Sequence, residues 1–488
     1  MVRTALQHIP IQNAFDCEAW MASPYSGRLS WSRLLTVNRD HGIFYLLNEQ
    51  SREEMGPIMR DRSPQEQVLS TRESALSAHD RRRYAGQNHT RVRKHNHHAV
   101  LRALLSHGPT SRSHLVKLTG LRPATVSSLI SELIHQGIVR EIGAAVNTGI
   151  GRPSIELDFA PHGVYAVGVN MGLEWITIGL VSPRGTVHYK HEFPRPSDVA
   201  PAETVALAIA AIEDLLIRAS IPQDRIIGIG IGLPGIVDPR DGRAIAVVDL
   251  DWHDVAIAGP FQSAFDLPVL VGNNAQAMGL AESWFGADRD VGDLVLLYVG
   301  SVVGAGAVID GRLLRGSGWG AGQIGHSPII PGIQTRCSCG NVGCLETVIS
   351  DQAIVRDALA HRVHLASYDA DRNLPTQVYL DELIEVGLAG NPTAIAVLAR
   401  AGEHIGAAAA YLINLFNPPQ IVLAGRLMRA RHLVFDPMQR AATSSSLPLL
   451  AQSTQFMPSA LGVDARIIGP ASLVLVDCFY TAEHLLYR

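Results

Sequence analysis

Nowhere in its 488 residues does the chain run apolar for the roughly 20 residues that a spanning helix needs. The longest apolar stretches, IIGIGIGLPGIV (226–237) and IGAAAAYLINLF (405–416), are shorter and rich in Gly or Ala. No membrane insertion is therefore expected. The first residues also lack a charged segment followed by an apolar one, the mark of an exported chain, so a cytoplasmic protein is expected. Cysteine is scarce. Of five in all, Cys337, Cys339 and Cys344 fall within eight residues, which is not the evenly spread framework of a disulfide-stapled domain. Charged residues are 18% and the net charge is −4, an average that by itself argues against a nucleic-acid partner. What the chain does hold is 47% hydrophobic residues, enough for sizeable cores, and a length that suits about three domains.

The average charge conceals an asymmetry. Residues 81–152 carry 12 Lys and Arg but only two acids, Glu132 and Glu141, a local +10 against −14 elsewhere. Residues 1–80 show no sustained helical or strand period, and 1–90 are expected to form a poorly ordered extension. From Asn96, HHAVLRALLSHGP predicts a helix with Val100, Leu101, Leu104 and Leu105 on one face, stopped by Gly108-Pro109. TSRSHLVKLTG predicts a short second helix with Ser or Thr as N-cap. After a turn at Gly120, Pro123 opens a third helix with Val126, Leu129, Ile130, Leu133 and Ile134 on one face.

Three helices followed by IVREIG and NTGIGRPSIELDF, read as a two-stranded wing, make residues 91–158 a winged helix-turn-helix. Its third helix would enter the major groove of an operator, with Thr125, Ser127 and Ser128 turned to the bases. Arg112, Lys117 and Arg122 are placed to meet phosphates, and Arg152 to reach the minor groove or a phosphate. The competing reading is a small helical bundle with a solvated basic face.

GQIGHSPIIPGIQTRCSCGNVGCLE brings His326, Cys337, Cys339 and Cys344 into one short segment. One imidazole and three thiolates suit the closed tetrahedral coordination of structural zinc. Four protein ligands leave no position for a reactive water, so a catalytic metal is not expected. Elsewhere from Gly163 onward strands and helices alternate in two similar halves, which predicts an α/β protein of two lobes with a cleft near residue 273. The glycine run GSVVGAG (300–306) is a candidate anion cradle, a weak signal by itself.

In order along the chain, LPGIVD, NNAQAMGLAE, VGAGAVIDGRLLRG, GAGQIGH and CSCGNVGCLE resemble the ROK family of repressors, open reading frames and sugar kinases. With the helix-turn-helix in front, the chain looks like the repressor branch, which includes xylose and N-acetylglucosamine repressors. The resemblance implies a two-lobed, actin-like (ribonuclease-H-type) fold over residues 163–488. It implies a sugar or sugar-phosphate site formed by Gly235, Asn273, Asn274, Gln323, His326 and Glu346. It also implies a homodimer or homotetramer, with a transporter protein as an alternative partner to the sugar.

Two departures set the chain apart from the family's kinases. Asn274 stands where they carry the aspartate that deprotonates the attacking hydroxyl, and an amide has no lone pair basic enough for that task. Asn170, with Leu173 and Glu174, replaces the Asp-x-Gly-Gly-Thr that holds metal-bound phosphates. No catalytic residue is assigned, and the resemblance implies a regulator that is not an enzyme. An active sugar kinase carrying a DNA-binding domain remains the rival.

Overall fold

The computed structural model describes residues 89–144, 154–197, 199–287, 292–368 and 374–481. Residues 1–88 of the expected extension 1–90, and Arg152, lie outside the described residues; His89 and Thr90 belong to a helix instead.

The basic segment folds as α1 (His89–His107), β1 (Thr110–Ser111), α2 (Arg112–Thr119), α3 (Pro123–His135), β2 (Val139–Ala144) and β3 (Ile155–Phe159). The apolar faces read from the sequence meet: Val100, Leu101, Leu104, Leu115, Val126, Ile130 and Leu133 are buried together. Ser111 is the N-cap of α2, its Oγ accepting from His114 N. Two features differ from the expectation. First, α1 begins at His89, seven residues before Asn96, because the polar stretch HTRVRKH contains no helix breaker. Second, the wing has three strands, in the order β1-β3-β2. A two-residue strand such as β1 is too short to leave a periodic trace in the sequence.

The first lobe comprises β4 (Tyr165–Met171), β5 (Trp175–Val181), β6 (Val187–Pro194), α4 (Pro201–Ala219), β7 (Ile226–Leu233), β8 (Ile236–Asp238), β9 (Arg243–Val247), β10 (Trp252–Ala256), α5 (Ala258–Phe265) and β11 (Val269–Asn273). The helix α6 (Asn274–Phe285) leads to the second lobe: β12 (Leu294–Val299), β13 (Val303–Ile309), β14 (Arg312–Leu313), α7 (Glu346–Ile349), α8 (Asp351–Ala360), α9 (Thr376–Leu388), α10 (Pro392–Phe416), β15 (Gln420–Ala424), α11 (Arg431–Ser445), α12 (Pro448–Ser453) and β16 (Gln455–Pro458). The chain then returns as α13 (Ala465–Val474), which runs into a π-helical turn, Leu475–Tyr480. The main sheets are ordered β11-β7-β4-β5-β6 and β14-β13-β12-β15-β16. Counted within its own five strands, each sheet runs 3-2-1-4-5, the outer pairings parallel on one side and antiparallel on the other. The two halves therefore repeat one topology.

The helices α6 and α13 pack on each other; α13 also covers the first sheet, and α6 covers the second. This explains the glycine runs. A Cβ on Gly230 of β7 would lie 1.8 Å from the Pro470 carbonyl oxygen, and one on Gly306 of β13 would lie 2.3 Å from that of Ala275. Backbone meets backbone at both seams. The candidate anion cradle is thus corrected: Gly304 and Gly306 are strand residues against α6, and only Gly300 to Val302 form the turn.

Between α7 and α8 the helix is interrupted at Ser350, whose Oγ accepts from Ala353 N and caps α8. Among the described residues no single helix is long and apolar enough to cross a membrane. The apolar pair α9 and α10 is bent by 113°, and Leu380, Leu383, Ile405 and Ile413 are buried in the core of the second lobe.

The winged helix is seated on the first lobe. Arg184, at the β5–β6 turn, pairs with Asp158 of β3 and donates to the Leu104 carbonyl of α1 at 3.5 Å. Arg225 donates to the carbonyls of Gln136 and Gly163, both at 3.2 Å. Behind these polar contacts Phe159 meets Phe479 and Tyr480 at the end of the chain's described part, with ring centroids 6.2 and 6.4 Å apart.

Candidate functional site

The cleft is built where β11 becomes α6. Asn273 ends the strand in an extended conformation and caps the helix, its Oδ1 accepting from Gln276 N at 3.1 Å. Its Nδ2 donates to the Gly235 carbonyl at 2.9 Å. Gly235 turns the chain between β7 and β8 with φ +81°, and a Cβ there would lie 2.2 Å from the Ala246 oxygen, so only glycine fits. From the second lobe Gln323 donates through Nε2 to the same Gly235 carbonyl at 3.1 Å. Gln276, which the sequence did not single out, holds the loop leading to Gln323 by donating to the carbonyls of Trp319 and Ala321 at 3.2 and 2.9 Å.

Asn274 is the first residue of α6, 6% exposed, and its Oδ1 accepts from Ala275 N at 2.8 Å. Glu346 accepts from Val303 N at 2.8 Å. Burial pushes its carboxyl above the usual range, and the nearby Asp249 adds to that effect. All six expected ligand residues, Gly235, Asn273, Asn274, Gln323, His326 and Glu346, line one cleft enclosing about 820 Å³, open solvent included. Asp249 and Asn341 join them: Asp249 lies outside every motif quoted above, and Asn341 sits within CSCGNVGCLE but was not singled out there. Amides, an imidazole and carboxylates around one hollow offer donors and acceptors to a ring of hydroxyl groups.

The expected metal ligands converge. The ligand atoms of His326, Cys337, Cys339 and Cys344 all lie within 4.8 Å of one another. His326 Nδ1 is 3.5 Å from Cys337 Sγ, and the sulfurs of Cys339 and Cys344 are 3.6 Å apart. Ligands at about 2.3 Å from a tetrahedral ion would stand at about such separations, so the four can hold a metal. Burial pushes the Cys344 thiol up to about 12, and a bound cation would favour its thiolate. The turn around the sulfurs is tied by Cys337 N donating to the Asn341 carbonyl at 2.8 Å and Gly340 N to the Cys337 carbonyl at 3.0 Å. His326, Cys339 and Asn341 all line the cleft, so the metal loop is also one of its walls. With Nδ1 turned to the sulfurs, His326 keeps Nε2 for the cleft.

On the winged helix, Lys117, Arg122, Ser127 and Ser128 are exposed and Thr125 is half-buried. Arg112 differs from the expectation of a free phosphate-binding group: its Nη1 lies 2.9 Å from Glu141 of β2. It ties the second helix to the wing, and a phosphate would have to compete with that carboxylate.

The positions that depart from the kinase pattern are also placed. Asn170 lies in a second compartment, which shares Asn274 with the cleft. Glu174, noted in the sequence only as a loss, accepts from Thr376 Oγ1 at 2.8 Å and so joins the first lobe to α9 of the second.

Known proteins place this architecture. A family model described as the ROK family matches residues 166–476. A xylose repressor from Caldicellulosiruptor bescii is 29% identical over 405 residues, 81% of this chain and 99% of that protein. The crystal structure of a ROK family transcriptional regulator, a homologue of the Escherichia coli MLC protein, aligns with TM-score 0.65 and 29% identity, covering 81% of this chain and 98% of that one. A ROK family glucokinase from Streptomyces griseus, solved with glucose and AMPPNP, aligns with TM-score 0.57 and 25% identity over 63% of this chain and 98% of its own. Motif order, two lobes of one repeated topology and a model match over most of the chain agree: the chain belongs to the ROK family.

Proposed function

We propose that the chain is a DNA-binding transcriptional repressor whose ROK body senses a sugar and performs no phosphoryl transfer. The observation that carries this reading is Asn274. It sits among the hydroxyl-binding groups of the cleft, at the place of the kinases' base, and its amide can hold a hydroxyl but not deprotonate it. Asn170 supports the same reading, since an amide is a poor magnesium ligand for a nucleotide.

In this reading residues 91–158 bind the operator and residues 163–488 bind the effector, with zinc holding the His326, Cys337, Cys339 and Cys344 loop in place. Two copies of the chain would set two recognition helices on a palindromic site. A sugar that binds the closed lobes better than the open ones shifts the population, and the winged helix seated on the first lobe follows. The relatives named as repressors support the regulatory role.

The test is an operator-binding titration against a panel of sugars, together with an assay for ADP release from ATP. One sugar is expected to change operator affinity, and ADP release is expected to stay at background. Zinc removal by a chelator is expected to abolish the sugar response and lower Tm, because one wall of the cleft is lost. Sugar-dependent ADP release would overturn the reading of Asn274 and establish the kinase.

A further inference from the structure

A second hollow adjoins the cleft at Asn274: Pro234, Asn274 and Val302 line both compartments. Its walls come from the β4–β5 turn, the β12–β13 turn, the starts of α8 and α13, and the end of β15.

The polar atoms here are unlike those of the first compartment. Asn170 and Asp351 are only 5% and 7% exposed, yet neither Oδ1 has a hydrogen-bond partner. The same holds for the indole Nε1 of Trp175. The three residues that carry these atoms come from three separate elements and line one hollow, and a buried unsatisfied polar atom costs free energy that a ligand hydroxyl can offset. Two acceptors and one donor suit hydroxyl groups.

Charge then narrows the class of ligand. The cations of this compartment are already engaged: Arg426 lies 2.7 Å from Asp381 and donates to Gln377, and Arg466 lies 3.3 Å from Glu192. Glu174 and Asp351 add two carboxyl groups to the wall. Among the described residues the sugar compartment is lined by Asp249 and Glu346 and by no Lys or Arg. A metal held by three thiolates leaves that loop without net positive charge. A phosphate anywhere along the cleft would meet carboxylates with no unpaired guanidinium to hold it.

We propose that the second compartment is a subsite for an uncharged, hydroxylated unit, so that the effector is a disaccharide or glycoside reaching past Asn274, and neither a sugar phosphate nor a nucleotide. This rests on the sugar-sensing reading above. The first sugar ring sits among Asn273, Gln323, His326 and Glu346; the second gives its hydroxyls to Asn170, Asp351 and Trp175. The Asp351 carboxyl, which burial pushes up to about 7, can donate as well as accept.

Calorimetric titration of the full chain tests it, with glucose, xylose and N-acetylglucosamine, their phosphates, the disaccharides cellobiose, xylobiose and chitobiose, and ATP. One disaccharide is expected to bind at least about tenfold tighter than its own monosaccharide, the worth of one or two added hydrogen bonds. Asn170→Leu should bring the disaccharide down to the monosaccharide's affinity and leave the monosaccharide unchanged. Trp175→Phe, a smaller change that removes one donor, should give a partial loss in the same direction. Equal affinity for one ring and two, or equal weakening of both by these variants, overturns the subsite. A phosphate or ATP binding tighter than any neutral sugar overturns the charge argument. Binding by none of the sugars would sink the sensor reading itself, and this inference with it.

Discussion

Gln323 of the second lobe and Gly235 of the first are joined by a hydrogen bond of 3.1 Å across the cleft. Asn273 donates to the same carbonyl from within the first lobe, so that one oxygen reports both the local turn and the approach of the other lobe. In the proposed sensing reading, closure around a ligand would act on a single backbone group.

Gln323→Ala removes the bond that crosses the cleft and keeps the one within the lobe. Sugar affinity is expected to fall about three- to tenfold, the net worth of one hydrogen bond, with Tm almost unchanged. Calorimetry and thermal unfolding on the same preparation check it. A large drop in Tm with unaltered affinity would assign Gln323 to the fold and not to closure.

Asp351 gives a pH dependence with a definite sign. Burial pushes its carboxyl up to about 7; Arg426 and Arg466 pull it down, Glu174 and Asp381 push it up, and Tyr298 also faces it. In the unfolded chain an aspartate titrates near about 3.9. Between these values the folded state keeps a proton that the unfolded state has lost, so stability from this group falls as pH rises and the penalty is complete above about 7. Asp351→Asn is expected to match the parent in unfolding free energy near pH 4 and to exceed it at pH 8, by a few kcal/mol at most, as denaturant titrations at the two pH values would show. A difference independent of pH would mean that the carboxyl is charged throughout.

On the winged helix, sequence choice and bare affinity are expected to separate. Ser128→Ala and Thr125→Ala should weaken the operator more than random DNA, whereas Lys117→Ala and Arg122→Ala should weaken both and each lower the salt slope by about one. Fluorescence anisotropy over a range of salt concentrations distinguishes them. Equal loss on all sequences from Ser128→Ala would remove α3 as the reader.

The seating of the winged helix predicts a variant that binds but does not respond. Arg184 pairs with Asp158, donates to Leu104 and lies over the Phe159 ring, 5.3 Å from its centroid. Arg184→Ala is expected to leave sugar affinity and operator affinity each near the parent's and to reduce the effect of one on the other. An unchanged coupling would place the transmission elsewhere.

Much of this site was legible because its residues sit in short local motifs. Asn273 and Asn274 are adjacent, and His326, the three cysteines and Glu346 fall within 21 residues. Their type and spacing are set by chemistry that acts over one turn of chain. Asp249, Asp351, Arg426 and Arg466 were not legible. They come together only through the packing of separate elements, and nothing in their own neighbourhoods marks them. Glycine misled for a related reason: the need for a tight loop and the need to admit a helix backbone select the same residue, and only the contact between Gly306 and Ala275 tells them apart. Arg112 shows the same limit for charge, since a basic residue on a helix of the helix-turn-helix reads alike whether it is free for a phosphate or holds Glu141.

The seam between Gly230 and Pro470 bears on how the two ends of the molecule communicate. Side chains between a sheet and a helix act as a cushion, because rotamers adjust and small displacements die away within them. At Gly230 that cushion is missing, and β7 and α13 are expected to travel as one stiff beam. One side of that beam is the sheet that presents Asn273, and its far tip is the Phe479–Tyr480 pair lodged under Phe159. A shift of a few tenths of an ångström at the cleft would then arrive at the winged helix undamped.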